Sequence, residues 1–213
     1  MTNALDAITE DLNWRESEIA SMRLLLLSQL TPIQKRTLLR AAWAMLYAHY
    51  EGFCKEALTI YFEQIKKSNK NCAELPEKIK IFALKKALTS LKNSKTEDLL
   101  ATIPSFQKNH LDIAPSFPEV ETQSNLWPNV LKDLLETADI DCKTVTEHQK
   151  KLQVLVSRRN EIAHGKENFI DEISYYISFE NAVYEVMYDL AFQIDERLKK
   201  PPFNTKREAQ ALE

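Results

Sequence analysis

The chain has 213 residues, 44% of them apolar and 28% charged, a net charge of −3 at pH 7, and only two glycines, Gly52 and Gly165. That length is one domain, or one domain with a tail, and it buries a real core, roughly 70% of the unfolded surface. The mildly acidic balance argues against a polyanion partner on charge alone, and glycine far below the ~7% of average proteins argues against a strand-rich fold with its many turns.

No run of 18 apolar residues occurs, so no membrane span is expected. Residues 1–11 are polar and do not resemble a secretory leader, so a cytoplasmic protein without membrane association is expected. Cys54, Cys72 and Cys142 form no CxxC pair and read as reduced, buried thiols.

The hydrophobic period predicts an all-α, antiparallel bundle of about six helices over residues 1–200, with residues 201–213 as a flexible tail. A first helix over residues 3–29 carries Leu5, Ile8, Leu12, Ile19 and Met22 on one side. Thr31-Pro32 is a helix start, an N-cap followed by proline at the first helical position. The helix it opens runs to about Lys66. Its stretch 41–58 is apolar nearly all round and marks the central buried helix, in which Gly52 suggests close backbone approach by another helix. A shorter lysine-rich helix follows Pro76. Residues 102–128, broken by Pro104, Pro115, Pro118 and Pro128, read as a long surface loop. Residues 126–137 read as a helix. Another opens at Thr144 or Thr146 and presents Val145, Leu152, Leu155, Val156, Arg159, Ile162 and Ala163 as its buried stripe. The last helix covers residues 171–198, and Pro201-Pro202 ends it.

Arg159 breaks the pattern. Its neighbours at i−4, i−3, i+3 and i+4 are Leu155, Val156, Ile162 and Ala163, all apolar, so a guanidinium stands where a helix normally places leucine. A buried cation needs an anionic partner or a shared interface. Glu51, on the face of the central helix that holds Tyr47, Ala48 and Cys54, is the carboxylate expected to hold it. Arg158 projects to the other side and reads as a surface arginine. His164 follows five positions after Arg159, about 140° of rotation and 7.5 Å of rise away on an ideal helix. Two arrangements bring the pair to one site: the arginine bends round to a groove bordered by His164, or two copies of the helix meet across a two-fold axis. The second also explains an arginine on an apolar stripe and is favoured.

Positive charge gathers in two places. Residues 64–95 hold nine lysines against Glu74 and Glu77, which reads first as a solvated helix face. Lys150, Lys151, Arg158, Arg159 and Lys166 form a second basic group, centred on Arg159 and adjoining His164, and a candidate footprint for a polyanion. His49 on the apolar helix reads as a core histidine. Glu161-Ile162-Ala163-His164 is a lone Glu-x-x-His, insufficient for a di-iron bundle, and the glycines of P-loop and Rossmann folds are missing.

The run Arg159-Asn160-Glu161-Ile162-Ala163-His164 resembles the RxxxxH signature of the HEPN superfamily (higher eukaryote and prokaryote nucleotide-binding), including the polar residue after the arginine. Residues 47–53 resemble the long helix of stand-alone bacterial HEPN proteins, as does Ser124-Asn125-Leu126 before a helix; the likeness spans residues 14–198. It implies a helical homodimer, joined through the motif helix, that cuts RNA without a metal or other cofactor in a toxin or defence role. Arg159 and His164 would be catalytic, Asn160 and Glu51 supporting, and Arg158, Lys151 and Lys166 would bind the RNA. An antitoxin or regulatory protein is a further candidate partner. Some HEPN toxins are silenced through a tyrosine two residues after the histidine. Lys166 stands there instead, so that route of control is not expected. The rival reading is a non-catalytic helical module for RNA or protein, with Arg159 as a structural ion pair.

Overall fold

The computed structural model describes residues 4–167 and 172–203. Among them there is no strand, and nine α-helices occur: α1 (Ala4–Leu26), α2 (Pro32–Ser68), α3 (Glu77–Ala83), α4 (Lys85–Lys92), α5 (Thr96–Phe106), α6 (Pro128–Thr137), α7 (Lys143–Glu147), α8 (Gln149–Ala163) and α9 (Ile173–Leu198). No described helix is long and apolar enough to cross a membrane.

The axis of the molecule is α2. Thr31 opens it with a reciprocal cap: the Gln34 N–H donates to Thr31 Oγ1 at 3.4 Å, and the Thr31 N–H donates to Gln34 Oε1 at 2.9 Å. Such a cap satisfies donors that the first turn cannot. No breaker follows until Asn69, so the helix runs 37 residues, about 55 Å. It packs against α1, α8 and α9. Contacts on several sides explain its lack of a polar stripe: Leu46, Tyr50, Phe53, Cys54, Leu58 and Tyr61 are all fully buried.

Gly52 does not mark a backbone crossing. A Cβ there would stand 2.7 Å from Arg15 Nη1, so the glycine makes room for a guanidinium from α1, which Asp11 holds at 2.8 Å. On α1, Ile8, Leu12 and Ile19 are buried as expected, but Leu5 is exposed. The three cysteines are free and buried. His49 is also buried, with Nε2 3.0 Å from Glu18 Oε2, and burial depresses its pKa.

Several boundaries differ from the sequence reading. Residues 77–92 form two short helices, α3 and α4, that meet at Leu84. Helix α5 continues through Pro104, where Ser105 Oγ donates to Thr102 O at 3.0 Å, and then widens into a π-helical turn at Gln107–Leu111. One missing donor in an exposed helix was not enough to break it. The remaining segment, 112–127, is a packed strap: Phe117 lies against Phe62 and Phe82, Val120 and Leu126 are buried, and the Cys72 N–H donates to Ile113 O at 2.8 Å. The expected motif helix is split at His148 into α7 and α8, with His148 Nε2 2.7 Å from Glu185 on α9. Phe203 belongs to the body, packed against Tyr61 and under the Arg197 guanidinium. The rest of the expected tail lies outside the described residues.

Candidate active site

One face of α2, recurring every three or four residues, holds the motif segment. Its rungs are Arg40, Trp43, Tyr47 and Glu51. Arg159 lies on the upper two: its guanidinium carbon is 4.1 Å from the centre of the Tyr47 ring, and Nη2 is 3.8 Å from Glu51 Oε2. Arg159 Nη1 also donates to Asn160 Oδ1 at 3.0 Å. Arg159 and Glu51 side chains keep 25% and 24% of their surface in solvent. The arginine is thus half-buried and paired within its own chain. Its place on an apolar stripe therefore needs no second subunit: a tyrosine face and a carboxylate supply a favourable local setting.

Tyr47 was not among the residues that sequence reasoning selected. Its ring is buried, and its hydroxyl accepts the Leu126 N–H at 2.8 Å, which ties the strap 112–127 to the floor of the site. Burial pushes the phenol above its ordinary pKa, so it stays a neutral hydroxyl around pH 7. Asn125, one residue earlier, leaves its Oδ1 buried without a hydrogen-bond partner.

His164 caps α8 and is exposed. The chain turns there because Gly165 adopts φ +72°, a left-handed conformation that side-chain-bearing residues resist. The Gly165 N–H bonds Ile162 O at 3.0 Å and the Lys166 N–H bonds Glu161 O at 2.9 Å, a double closure that satisfies the last carbonyls of the helix. Arg40 then pins the turn, with Nη1 donating to Lys166 O at 2.7 Å. Arg40 also escaped the sequence reading. Nothing in its local pattern marks it, because its partner is a backbone oxygen 126 residues away. Ala163, expected on the buried stripe, is exposed instead, since the stripe ends where the helix does.

The basic residues divide. Arg158 is half-buried and not the fully solvated arginine expected: its guanidinium lies 5.2 Å from the Trp43 ring and 5.6 Å from that of Tyr175, and its Nε is buried without a hydrogen-bond partner. Helix α8 is covered on this side as well, by α9, and the polar side read from the sequence is an aromatic seat. Lys151 Nζ donates to Ser178 O on α9 at 2.9 Å, while Lys150 and Lys166 are exposed.

A second charged pair went unread. Glu180 on α9 is fully buried and accepts from Nε and Nη2 of Arg23 on α1. Burial raises its pKa, and the Arg23 pairing works in the opposite direction. This pair holds α1 to α9.

Comparison with known proteins agrees with the geometry. A family model described as HEPN_MAE_28990-like HEPN matches residues 4–203, nearly the whole chain. No curated protein and no solved structure matches. An all-helical body whose motif arginine is seated on its longest helix, with the histidine at the open end of the motif helix, accords with that match; the chain belongs to the HEPN superfamily.

Proposed function

We propose that this protein is a metal-independent endoribonuclease that cleaves RNA by attack of the substrate's own 2′-hydroxyl, in a toxin or defence setting. The observation that carries the reading is a paired, half-buried Arg159 followed, five residues later at the end of the same helix, by an exposed His164 in a HEPN chain. The superfamily often contains ribonucleases. In this reaction a base takes the 2′-proton, the oxygen attacks phosphorus, and an acid protonates the departing 5′-oxygen. His164 has the side chain suited to exchange protons around neutrality, since imidazole titrates near pH ~6.5. Arg159 carries a permanent fork of donors matched to phosphate oxygens, which stabilises the charge that grows on the phosphorane. Glu51 and Tyr47 hold that fork ready, and Asn160 orients it.

One histidine serves as base or acid at a time. Two chains related by a two-fold axis, with the exposed ends of α8 together, supply both roles at a composite site. The rest of α8 already packs against α2, α6 and α9, so the pairing we propose uses the His164 end and not the apolar stripe. Lys166 and Lys150 then face the RNA. An antitoxin or other regulator remains a proposed partner.

One observation favours the rival reading of a binding module: Glu51 offsets the charge of Arg159 within the chain. The test is cleavage of a mixed RNA pool in EDTA by wild type and His164→Ala. We expect cutting by wild type and its loss, by at least about a hundredfold, in a variant of unchanged melting temperature and RNA affinity. Equal cutting by both removes His164 from the chemistry, and no cutting by wild type favours the binding module.

A further inference from the structure

Arg158 and Arg159 rest on successive rungs of α2, Trp43 and Tyr47, one helical turn or about 6 Å apart. Yet they differ in what surrounds them. Arg159 faces a carboxylate. Arg158 rests on aromatic rings: Trp43 is buried behind it, and Tyr175 stands beside it with 38% of its surface exposed. Tyr175 is fixed by neighbours as well, with the Phe179 ring 4.9 Å away at 62° and the Trp43 ring 6.1 Å away. Arg158 also lines a surface hollow of about 500 Å³ whose other walls are Lys150, Gln153, Val154, Ser157 and Glu161.

Resting on the ribonuclease reading above, we infer that Tyr175 and Arg158 form a nucleobase-stacking subsite for the nucleotide beside the scissile phosphate. An exposed aromatic ring next to a planar guanidinium is a stacking platform for unpaired bases. Trp43 and Tyr175 flank the guanidinium, and its Nε is buried without a hydrogen-bond partner. Ser157 and Gln153 offer donors and acceptors to the edge of the base, and Lys150 offers charge to its phosphate. The step from Trp43 to Tyr47 is comparable to the length of one nucleotide, so a base held at Arg158 puts the adjoining phosphate toward Arg159. The substrate class is therefore single-stranded RNA, since a base inside a duplex cannot splay onto Tyr175.

The test measures binding without cleavage. A short, fully 2′-O-methylated RNA cannot react by 2′-attack, and its affinity is read by fluorescence anisotropy. Stacking of one base is worth about 1–3 kcal/mol, a factor of roughly five to two hundred. Tyr175→Ala should weaken binding within that range, Tyr175→Phe should leave it within about twofold, and removal of a single base from the oligonucleotide should weaken wild type as much as Tyr175→Ala does. In the alanine variant that abasic change should cost nothing further. Photocrosslinking of a 4-thiouridine oligonucleotide to wild-type protein, with the adduct mapped, covers the case in which the alanine variant folds poorly; the adduct should lie at Tyr175 or Arg158. Unchanged affinity in Tyr175→Ala, an equal loss for intact and abasic strands, or adducts elsewhere overturns the subsite. Loss of cleavage chemistry in the His164 experiment would leave this binding result untouched, so the two failures are separable.

Discussion

At the residue scale, positions three and four away on a helix announce which side chains are buried, and they do so for charged residues as well as for leucines. The rule selected Arg159, and Glu51 lies 3.8 Å from it. Applied to α9 it also marks Glu180, whose neighbours Tyr176, Ile177, Val183 and Tyr184 are all apolar. The same rule misjudged Arg158, because it reads one face of one helix and cannot see that α9 covers the other side of α8. Tyr47 and Arg40 carry no such local sign, since their partners lie far along the chain. Replacing Glu51 by Gln leaves a half-buried cation without its carboxylate. A pair this exposed contributes at most about 1 kcal/mol, so the melting temperature should drop by only a few degrees while cleavage falls more steeply. A fully active Glu51→Gln enzyme contradicts the role given to Glu51. Gly165→Ala imposes left-handed strain of about 1–2 kcal/mol with open space around the added methyl. Denaturant unfolding should show that loss, and hydrogen exchange should show fraying at residues 163–166.

At the scale of elements, long periodic segments were legible and short ones were not. Helices α1, α2 and α9 stand within about three residues of their expected ends, because many apolar positions define each and the Thr31 cap fixes the start of α2. Removing the cap with Thr31→Ala should cost about 1 kcal/mol, read as a lower urea midpoint with unchanged slope; no loss would show that packing alone sets the start of α2. The residues 77–111 were harder to read. Their helices are held by few buried side chains, with none fully buried on α4 or α5, so periodicity had little core to report. Proline misled in that region. Pro104 removes one donor from an exposed helix, which tolerates it, and the later prolines shape a strap that packs Phe117, Val120 and Leu126 inward.

At the scale of the molecule, α1, α2, α8 and α9 share one core, and the charged pairs Asp11–Arg15, Arg23–Glu180 and Glu51–Arg159 reach into it. Glu180 is the most deeply buried of these side chains. A carboxyl whose pKa is raised on folding binds its proton more tightly in the native chain. Its contribution to stability is complete below the unfolded value, near ~4.5, and is lost as pH rises through the folded value. Urea unfolding of Glu180→Gln from pH 4 to 7 should therefore show a smaller decline over the lower part of that range than wild type; parallel curves contradict the burial effect assigned to Glu180. The composite arrangement of two chains belongs to this scale too, and it had no counterpart in the sequence beyond the placement of Arg159, which one chain now explains by itself.

The measurement that bears most directly on the central claim uses one defined RNA, mapped for its cut site, and a copy with a single 2′-deoxy substitution at that nucleotide. The account predicts that wild type cuts the first to leave a 2′,3′-cyclic phosphate and a 5′-hydroxyl end, and leaves the second intact at that position. Cutting that survives the substitution, or a product carrying a 5′-phosphate, contradicts 2′-hydroxyl attack at Arg159 and His164.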